Sequence, residues 1–183
     1  MSENDTAEQG RPVIEVRTLA EDEWATYREV RLCALKESPE AFAADLEDEA
    51  EYDEEFWRSR MNRSRRLLAE VDGQVVGVVS VGDDSTDDEP ATGELFGLWV
   101  TPEWRGRSVA AALVREGAQR ALADGMRQLS YWVGTDNGRA VAFASSFGFR
   151  PTDDRRAMGG DAPVPGDEQI EGEEESRFVL ALG

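Results

Sequence analysis

The sequence lacks histidine altogether and has a single cysteine, Cys33. An internal disulfide is therefore excluded, as are a zinc site made of histidine and cysteine and a serine–histidine catalytic triad. Cys33 lies in an apolar helical pattern, which favours a small buried side chain over a nucleophile. No apolar run is long enough to span a bilayer, and the polar stretch MSENDTAEQG has no apolar signal core. These absences predict a cytoplasmic protein with no metal site and no membrane partner.

Positive charge is scarce as well, since 20 basic residues accompany 39 acidic ones and Lys36 is the only lysine. The formal net charge is −19 and the isoelectric point is near 4.3. Nucleic acids and anionic membranes are bound largely through lysine and arginine, so this balance argues against both as partners. It favours a cationic small molecule or a basic peptide, although a solvated acidic surface explains the same charge more simply.

The length of 183 residues favours one domain, predicted over residues 12–183 after a disordered tail at 1–11. Apolar alternation and helical spacing predict a strand, two helices and a hairpin in the first half, at 13–19, 21–36, 53–62 and 66–81. The hairpin turn is assigned to Asp72–Gly73, a strong two-residue turn signal between apolar strands.

The second half alternates between strand and helix patterns. The predicted elements are strands at 94–100, 129–133 and 176–182 and helices at 106–124 and 137–147. The segment 153–175 is rich in glycine, proline and acidic residues and is predicted to be a mobile loop. The predicted class is α/β (α+β), with an antiparallel start and a strand–helix–strand–helix second half.

The stretch PEWRGRSVAAAL joins the predicted strand 94–100 to the following helix. A helix N-terminus presents unpaired backbone N–H groups and the positive end of the helix dipole, which suits phosphate. Gly106 would let the backbone approach a pyrophosphate closely, and Arg105 and Arg107 could add charge-assisted hydrogen bonds. Taken alone, the stretch fits an ordinary surface turn with solvated arginines equally well.

Two sequence blocks, in this order, resemble the GNAT superfamily of acyl-CoA-dependent N-acyltransferases. The first pattern, Gln/Arg-x-x-Gly-x-Gly/Ala, falls on residues 105–110. The second, Asn-x-x-Ala-x-x-Leu-Tyr-x-x-x-Gly-Phe, falls on Asn137, Ala140, Phe143, Ala144, Gly148 and Phe149. The resemblance covers residues 66–151 well. It implies a single domain with a mixed, mostly antiparallel sheet of about six or seven strands, splayed between the fourth and fifth, and about four helices.

The resemblance also implies acetyl-CoA as cosubstrate and assigns the residues that would bind it. They are Leu98, Trp99, Val100, Arg105, Gly106, Arg107, Ser108, Val109, Ala110 and Asn137. The pantetheine arm would pair with the strand edge, the loop N–H groups would hold the pyrophosphate, and the Val100 N–H would receive the thioester carbonyl. Asn137 would shape the pantetheine slot, and it is also a good helix cap; the two roles can coexist.

Two positions depart from the family pattern. Ser108 stands where the pattern has glycine, and Ala144 stands where the family often has a tyrosine that protonates the leaving thiolate. Alanine cannot donate a proton, but a thiol pKa of about 8.5 lets a thiolate leave near neutral pH without full protonation. Water and Tyr131 are the other candidate donors, and Tyr131 is the better fit to a core residue.

The acceptor amine must lose a proton before it attacks, and Glu94 at the start of the fourth strand is the candidate general base. A surface carboxylate explains Glu94 equally well, and Asp83 and Asp84 are weaker alternatives. The acceptor cleft is expected to be lined by the acidic loop 153–175 and by aromatic residues, which suit a cationic amine. Those aromatic residues are Trp24, Tyr27, Phe42, Phe56 and Trp57, and core packing explains most of them more simply.

The sequence therefore predicts an N-acetyltransferase in which a primary amine of a small molecule or peptide attacks acetyl-CoA directly. The alternative is a non-catalytic acyl-CoA-binding or interaction module on the same fold, a hypothesis motivated by Ala144. The oligomeric state is open between a monomer and a homodimer.

Overall fold

The computed structural model describes residues 10–160, 163–164 and 168–183, and their strands form one seven-stranded sheet in the order β1-β2-β3-β4-β5-β7-β6. The strands are β1 (Glu15–Thr18), β2 (Arg65–Val71), β3 (Gln74–Asp83), β4 (Thr92–Val100), β5 (Gln128–Gly134), β6 (Arg150–Ala157) and β7 (Glu174–Ala181). The helices are α1 (Trp24–Glu37), α2 (Leu46–Glu51), α3 (Glu54–Arg63), α4 (Val109–Ala123) and α5 (Gly138–Phe147). Most of the tail predicted at 1–11 lies outside the described residues.

The β2–β3 hairpin forms as the sequence predicts. Asp72 and Gly73 both have positive φ angles, 50° and 76°, which a two-residue turn of this type requires at both central positions. Aspartate tolerates this left-handed region better than most residues, and glycine enters it without a steric penalty. The turn therefore places two buried apolar strands side by side in the middle of the sheet.

Strands β4 and β5 are parallel neighbours that separate part of the way along. Their pairing runs from Thr92↔Gln128 to Leu95↔Tyr131 and goes no further. Beyond Leu95, within the described part of the chain, β4 pairs only with β3 and β5 pairs only with β7. The predicted splay between the fourth and fifth strands is thus confirmed, and it leaves two unpaired strand edges facing each other.

Each face of the sheet is covered by its own hydrophobic core. Helices α4 and α5 cover one face, where Leu113 and Val114 are fully buried. Helices α1 and α3 cover the other face, where Trp57 is fully buried and contacts Tyr27 edge to face. The helices on both faces hold the diverging strands in place, which positions the gap between them.

The segment 153–175 was expected to be a mobile loop, and this prediction is wrong for its first part, because residues 153–157 belong to strand β6. Its acidic and basic residues have no apolar alternation, so the usual strand signal is missing. Ion pairs support it instead: Arg155 binds Glu174 at 3.1 Å, Arg156 binds Glu175 at 2.9 Å, and Asp154 accepts from Arg177 at 3.1 Å. The rest of the predicted loop lies partly outside the described residues.

Three smaller expectations are also corrected. Helix α4 begins at Val109 rather than at residue 106, because Gly106 and Ser108 have positive φ angles that are not helical. The short helix α2, capped by the Asp45 side chain, was not expected. Cys33 is exposed rather than buried.

No helix in the described part of the chain is long and apolar enough to cross a membrane.

Candidate active site

A cleft of about 1670 Å³ opens where β4 and β5 separate. One side is β4 from Glu94 to Val100, and the other is β5 with the start of α5. One end is closed by the loop that enters α4, and the other end by residues 40–44 and by Met158 and Gly159. The cleft thus joins the predicted cofactor segment to the predicted general base.

The edge of β4 faces this cleft with unpaired backbone groups. Thr101 donates its backbone N–H to Val76 O at 2.9 Å, so the backbone N–H and C=O of residue 101 point toward β3. Backbone groups alternate in direction along a strand, so the N–H and C=O of Val100 point away from β3 and into the cleft. Arg105 Nε donates to Val100 O at 3.1 Å, which fits this direction. Leu98 also lines the cleft, in the part of β4 where the register with β3 shifts.

The loop before α4 forms a concave row of backbone donors. Gly106 and Ser108 have φ angles of 73° and 68°, and the first turn of α4 follows directly. Within the described ranges, the backbone N–H groups of residues 106–111 have no hydrogen-bond acceptor. A helix N-terminus with free N–H groups is a general anion site. The structure thus places residues 106–111 in this row, whereas the Arg105 N–H donates to Pro102 O at 3.3 Å; that the row binds a pyrophosphate stays a prediction.

The arginines near this loop are arranged differently from the sequence prediction. Arg105 turns back and donates from Nη2 to Ser38 Oγ at 2.9 Å, so it fastens the loop to the end of α1. Arg107 stacks over the Trp104 ring at 5.2 Å and does not line the cleft. Arg115 and Arg139 do line it, although the sequence analysis missed them. Arg115 lies one helical turn beyond Ala111, a spacing that could have revealed it.

Ser108 holds a left-handed backbone conformation that costs a non-glycine residue roughly 1–2 kcal/mol. Its side chain makes no capping hydrogen bond that would offset this cost. We therefore expect Ser108→Gly to raise the free energy of unfolding by about 0.5–1 kcal/mol, after the larger unfolded-state entropy of glycine is subtracted. Urea denaturation measures the change, and a lower stability than the wild type would contradict the strain argument.

Asn137 and Trp99 have clear structural roles. Asn137 Oδ1 accepts the Ala140 N–H at 3.1 Å and so caps α5, while the residue also lines the cleft. The Trp99 indole is buried, and its Nε1 donates to Ser38 Oγ at 3.3 Å. Trp99 borders the cleft, but its side chain belongs to the core and its backbone pairs with Val78 of β3.

Glu94 lies in the cleft with its side chain 24% exposed. Burial raises its pKa, and the negative charges of Asp84 and Glu175 act in the same direction against the nearby Arg156. Arg156 Nη2 is 3.6 Å from Glu94 Oε1, while Arg156 Nε holds Glu175 at 2.9 Å. Because Arg156 binds Glu175 more closely, Glu94 is only weakly paired. A carboxylate with a raised pKa and an incomplete partner is suited to accept a proton.

The two weaker base candidates do not line the cleft. Hydrogen bonds with Ser85 lower the pKa of Asp83. Asp84 lies 3.9 Å from Arg177 and accepts from Ser130 Oγ at 3.3 Å. Glu94 is thus the predicted base that the fold brings into the cleft.

The position of the missing tyrosine, Ala144, is fully buried in the core. A tyrosine there would overpack this site, so Ala144→Tyr is not a clean test of proton donation. Tyr131 lines the cleft, half-buried against Phe149, and burial raises its pKa to about 12. Protonating a thiolate of pKa about 8.5 from such a group is uphill by about 5 kcal/mol. Tyr131 is therefore a poor general acid.

The five aromatic residues mostly pack elsewhere, as the simpler interpretation of the sequence predicts. Of the five aromatic residues named above, only Phe42 lines the cleft, while Tyr27 and Trp57 are buried in the core. Arg31 and Arg60 line the cleft on this side instead, and Glu173 and Glu175 line the opposite side. No local sequence pattern marks the two arginines, because helical spacing alone does not show that α1 and α3 bring them together.

A splayed sheet, a free strand edge and an open helix N-terminus around one cleft are typical of an α/β domain that binds an extended, phosphate-bearing cofactor. Residues 18–149 match the family model described as "Acetyltransferase (GNAT) family". The chain belongs to the GNAT acetyltransferase family.

Two curated relatives are similar to part of the chain. An uncharacterized N-acetyltransferase of Archaeoglobus fulgidus is 32% identical over 92 residues, which cover 49% of this chain and 63% of the relative. One from Methanocaldococcus jannaschii is 28% identical over 95 residues, which cover 51% of this chain and 42% of the relative. The chain thus spans less than two thirds of the length of either relative.

Solved structures are similar over nearly the whole chain. A GNAT acetyltransferase from Streptococcus pneumoniae has a TM-score of 0.71 at 19% identity, covering 93% of this chain and all of its own. A GNAT family acetyltransferase from Elizabethkingia anophelis, with acetyl-CoA bound, has a TM-score of 0.64 at 16% identity, covering 92% of this chain and 98% of its own. These similarities confirm the predicted fold.

Proposed function

We propose that this protein transfers an acetyl group from acetyl-CoA to a primary amine. One observation carries the proposal: a single cleft contains free backbone donors at one end and a partly buried, weakly paired carboxylate, Glu94, at the other. The acetyl-CoA bound to the Elizabethkingia structure supports the choice of cosubstrate. A proton acceptor at the reacting end favours catalysis over a binding module, because binding alone requires no proton transfer.

The pyrophosphate of the cosubstrate would lie on the N–H groups of residues 106–111, with Arg115 and Arg139 available for its other phosphate charges. The pantetheine arm would run along β4 as an added strand and pair with the N–H groups of Leu98 and Val100. Arg105 would support both contacts indirectly, because it links the loop to Val100 O and to Ser38.

The reaction would be a direct attack. The amine nitrogen forms a bond to the thioester carbon, the carbon–sulfur bond breaks, and the amine proton passes to Glu94 directly or through water. A β4 backbone N–H stabilises the oxyanion that develops on the carbonyl oxygen. The sequence analysis assigned this role to Val100; Leu98 also lines the cleft and lies nearer to Glu94 along β4. The thiolate leaves without a protein acid, and catalysis rests mainly on positioning.

The proposal is tested by following free thiol while acetyl-CoA is incubated with the protein and a panel of primary amines. We expect thiol release that depends on the amine, with an equal amount of the acetylated amine detected by mass. Calorimetry with acetyl-CoA alone separates the two hypotheses. Binding without turnover on any amine would support the binding module, and absence of both would refute the acetyl-CoA assignment.

A further inference from the structure

Two arginines on the acceptor side of the cleft, Arg31 and Arg60, bind one buried carboxylate, Glu49. Arg31 donates from Nε and Nη2 to the two Glu49 oxygens at 3.1 Å each, and Arg60 donates to the same two oxygens at 3.0 and 3.1 Å. Glu49 is only 3% exposed and does not line the cleft, whereas both arginines do. Hydrogen bonds from the arginines outweigh burial and lower the pKa of Glu49, so it stays ionised.

One donor of this pair points toward the reacting strand. Arg31 Nη1 has no acceptor among the described residues, and it would lie 3.8 Å from a Cβ built on Gly97 of β4. Gly97 has a φ angle of 62° and lies in the irregular part of β4 between the Ser80↔Phe96 and Val78↔Trp99 pairs. A rigid, already positioned guanidinium edge therefore faces the acceptor end of the cleft.

The cluster has an excess of positive charge. Arg66 is 4% exposed behind Phe96 and donates to Ser80 Oγ and to the Arg60 carbonyl, but no carboxylate pairs with it in the described chain. The hydrogen-bonded cluster thus has three arginines and one carboxylate, Glu49; Arg31 and Arg60 line the cleft, as does Glu40. The arginine excess contrasts with a chain whose net charge is −19. A local positive charge of this kind at a cleft wall favours an anionic group there.

The opposite wall has the opposite character, since Glu94 and Glu175 share one arginine, Arg156. The cleft therefore has an anionic pole beside the proposed base and a cationic pole near Gly97. The two positions on β4 are three residues apart, or about 10 Å. Both poles therefore lie along one short stretch of β4, and a small zwitterion has one charge for each of them.

We propose that the acceptor is a free amino acid, or an equally small amine with a carboxylate, whose carboxylate binds Arg31 and Arg60 while its amine faces Glu94. The inference rests on the proposed acetyl transfer and specifies its acceptor. The close approach of the loops at this end favours a small molecule over a peptide: a Cβ built on Gly159 would lie only 2.6 Å from Ala43 Cβ, and both residues line the cleft.

Matched substrates test the proposal. Each of the common amino acids is assayed for thiol release beside its α-carboxamide, which keeps the amine and side chain but lacks the negative charge. A short peptide that has a free N-terminal amine and an acidic residue within its sequence is included as a third substrate. We expect at least one free amino acid to have a kcat/KM about 10- to 100-fold higher than its amide, the range of a charge-assisted hydrogen bond. Equal use of acids and amides, or preference for the peptide, would overturn the proposal while leaving acetyl transfer intact.

Two variants test whether Arg31 causes the preference for the acid over the amide. Arg31→Gln is expected to raise KM for the acid about 10-fold or more, with little change in kcat or in the use of the amide. Arg58→Gln is the matched control, because Arg58 is an exposed residue of α3 that pairs with Glu54 and does not line the cleft. If Arg31→Gln slowed acid and amide equally, the arginine would be structural and the proposal would fail.

An equilibrium measurement keeps the test decisive if no amine is turned over. Amino acids and their amides are titrated calorimetrically into the protein saturated with CoA. An amino acid that binds more tightly than its amide, with this difference lost in Arg31→Gln, would support the carboxylate subsite. The absence of turnover would then count against the proposed acetyl transfer. Absence of any preference would overturn the inference independently.

Discussion

Glu94→Gln is expected to lower kcat about 100-fold or more while the Kd for acetyl-CoA stays unchanged. A positioned general base typically contributes a factor of about 10² to 10⁴, and glutamine keeps the shape of the side chain without accepting the proton. Steady-state kinetics and calorimetry measure the two quantities. Glu29→Gln removes the same charge from an exposed position on α1 and should leave both unchanged. A Glu94→Gln enzyme with wild-type kcat would remove Glu94 from the mechanism.

The pH dependence gives this prediction a second readout. Burial raises the pKa of Glu94, and the base acts only when ionised, so activity is lost as the pH falls through this raised pKa. The profile of kcat/KM for the wild type should therefore show an inflection above the usual range of a glutamate. In Glu94→Gln that inflection should vanish, leaving only the ionisation of the acceptor amine. An inflection that persisted in the variant would assign it to another group.

Ala111→Glu is expected to weaken acetyl-CoA binding about 100-fold or more without destabilising the protein. Ala111 lines the cleft in the first turn of α4, three residues after the N-cap Ser108. A glutamate there can accept one of the free backbone N–H groups and lies near the positive end of the helix dipole, so the fold should gain stability. Its carboxylate would also occupy the free N–H groups and repel the pyrophosphate. Calorimetry and thermal unfolding measure the two effects.

Ala111→Gln is the matched control for this variant. Glutamine has nearly the same size and can accept the same backbone N–H, but it has no charge. Two negative charges about 4 Å apart near a protein surface repel each other by about 4 kcal/mol, so most of the loss should come from charge and should be absent in Ala111→Gln. Equal loss in both variants would indicate steric blocking, and no loss in either would place the pyrophosphate elsewhere.

The parts of the fold that local sequence signals define were predicted well. The Asp72–Gly73 turn, the run into Val100 and the helix ending before Gly125 each have a strong local pattern, and the structure contains all three elements. Strand β6 was missed because its stability comes from ion pairs with β7 and with Arg177, which only the folded sheet brings together. A pattern of charged residues has no strand period to detect.

The site shows the same division. The loop at 105–110 was predicted from its glycine and its place before a helix, but the sequence did not indicate that Arg105 would turn back to Ser38, a residue distant along the chain. The acceptor end was predicted as acidic and aromatic. Its arginine cluster depends on Glu49 of α2, a helix that the sequence analysis did not predict, bridging Arg31 and Arg60. Such contacts between distant segments leave no local pattern.

The central claim is that the backbone N–H groups along β4 and before α4 bind acetyl-CoA. Hydrogen–deuterium exchange with and without acetyl-CoA measures this directly, because unpaired amides exchange fast until a ligand protects them. We expect protection at Leu98, Val100 and residues 106–111, and no change at the hairpin turn Asp72–Gly73, which lies outside the cleft. Unchanged exchange at these cleft amides in the presence of saturating acetyl-CoA would contradict the account.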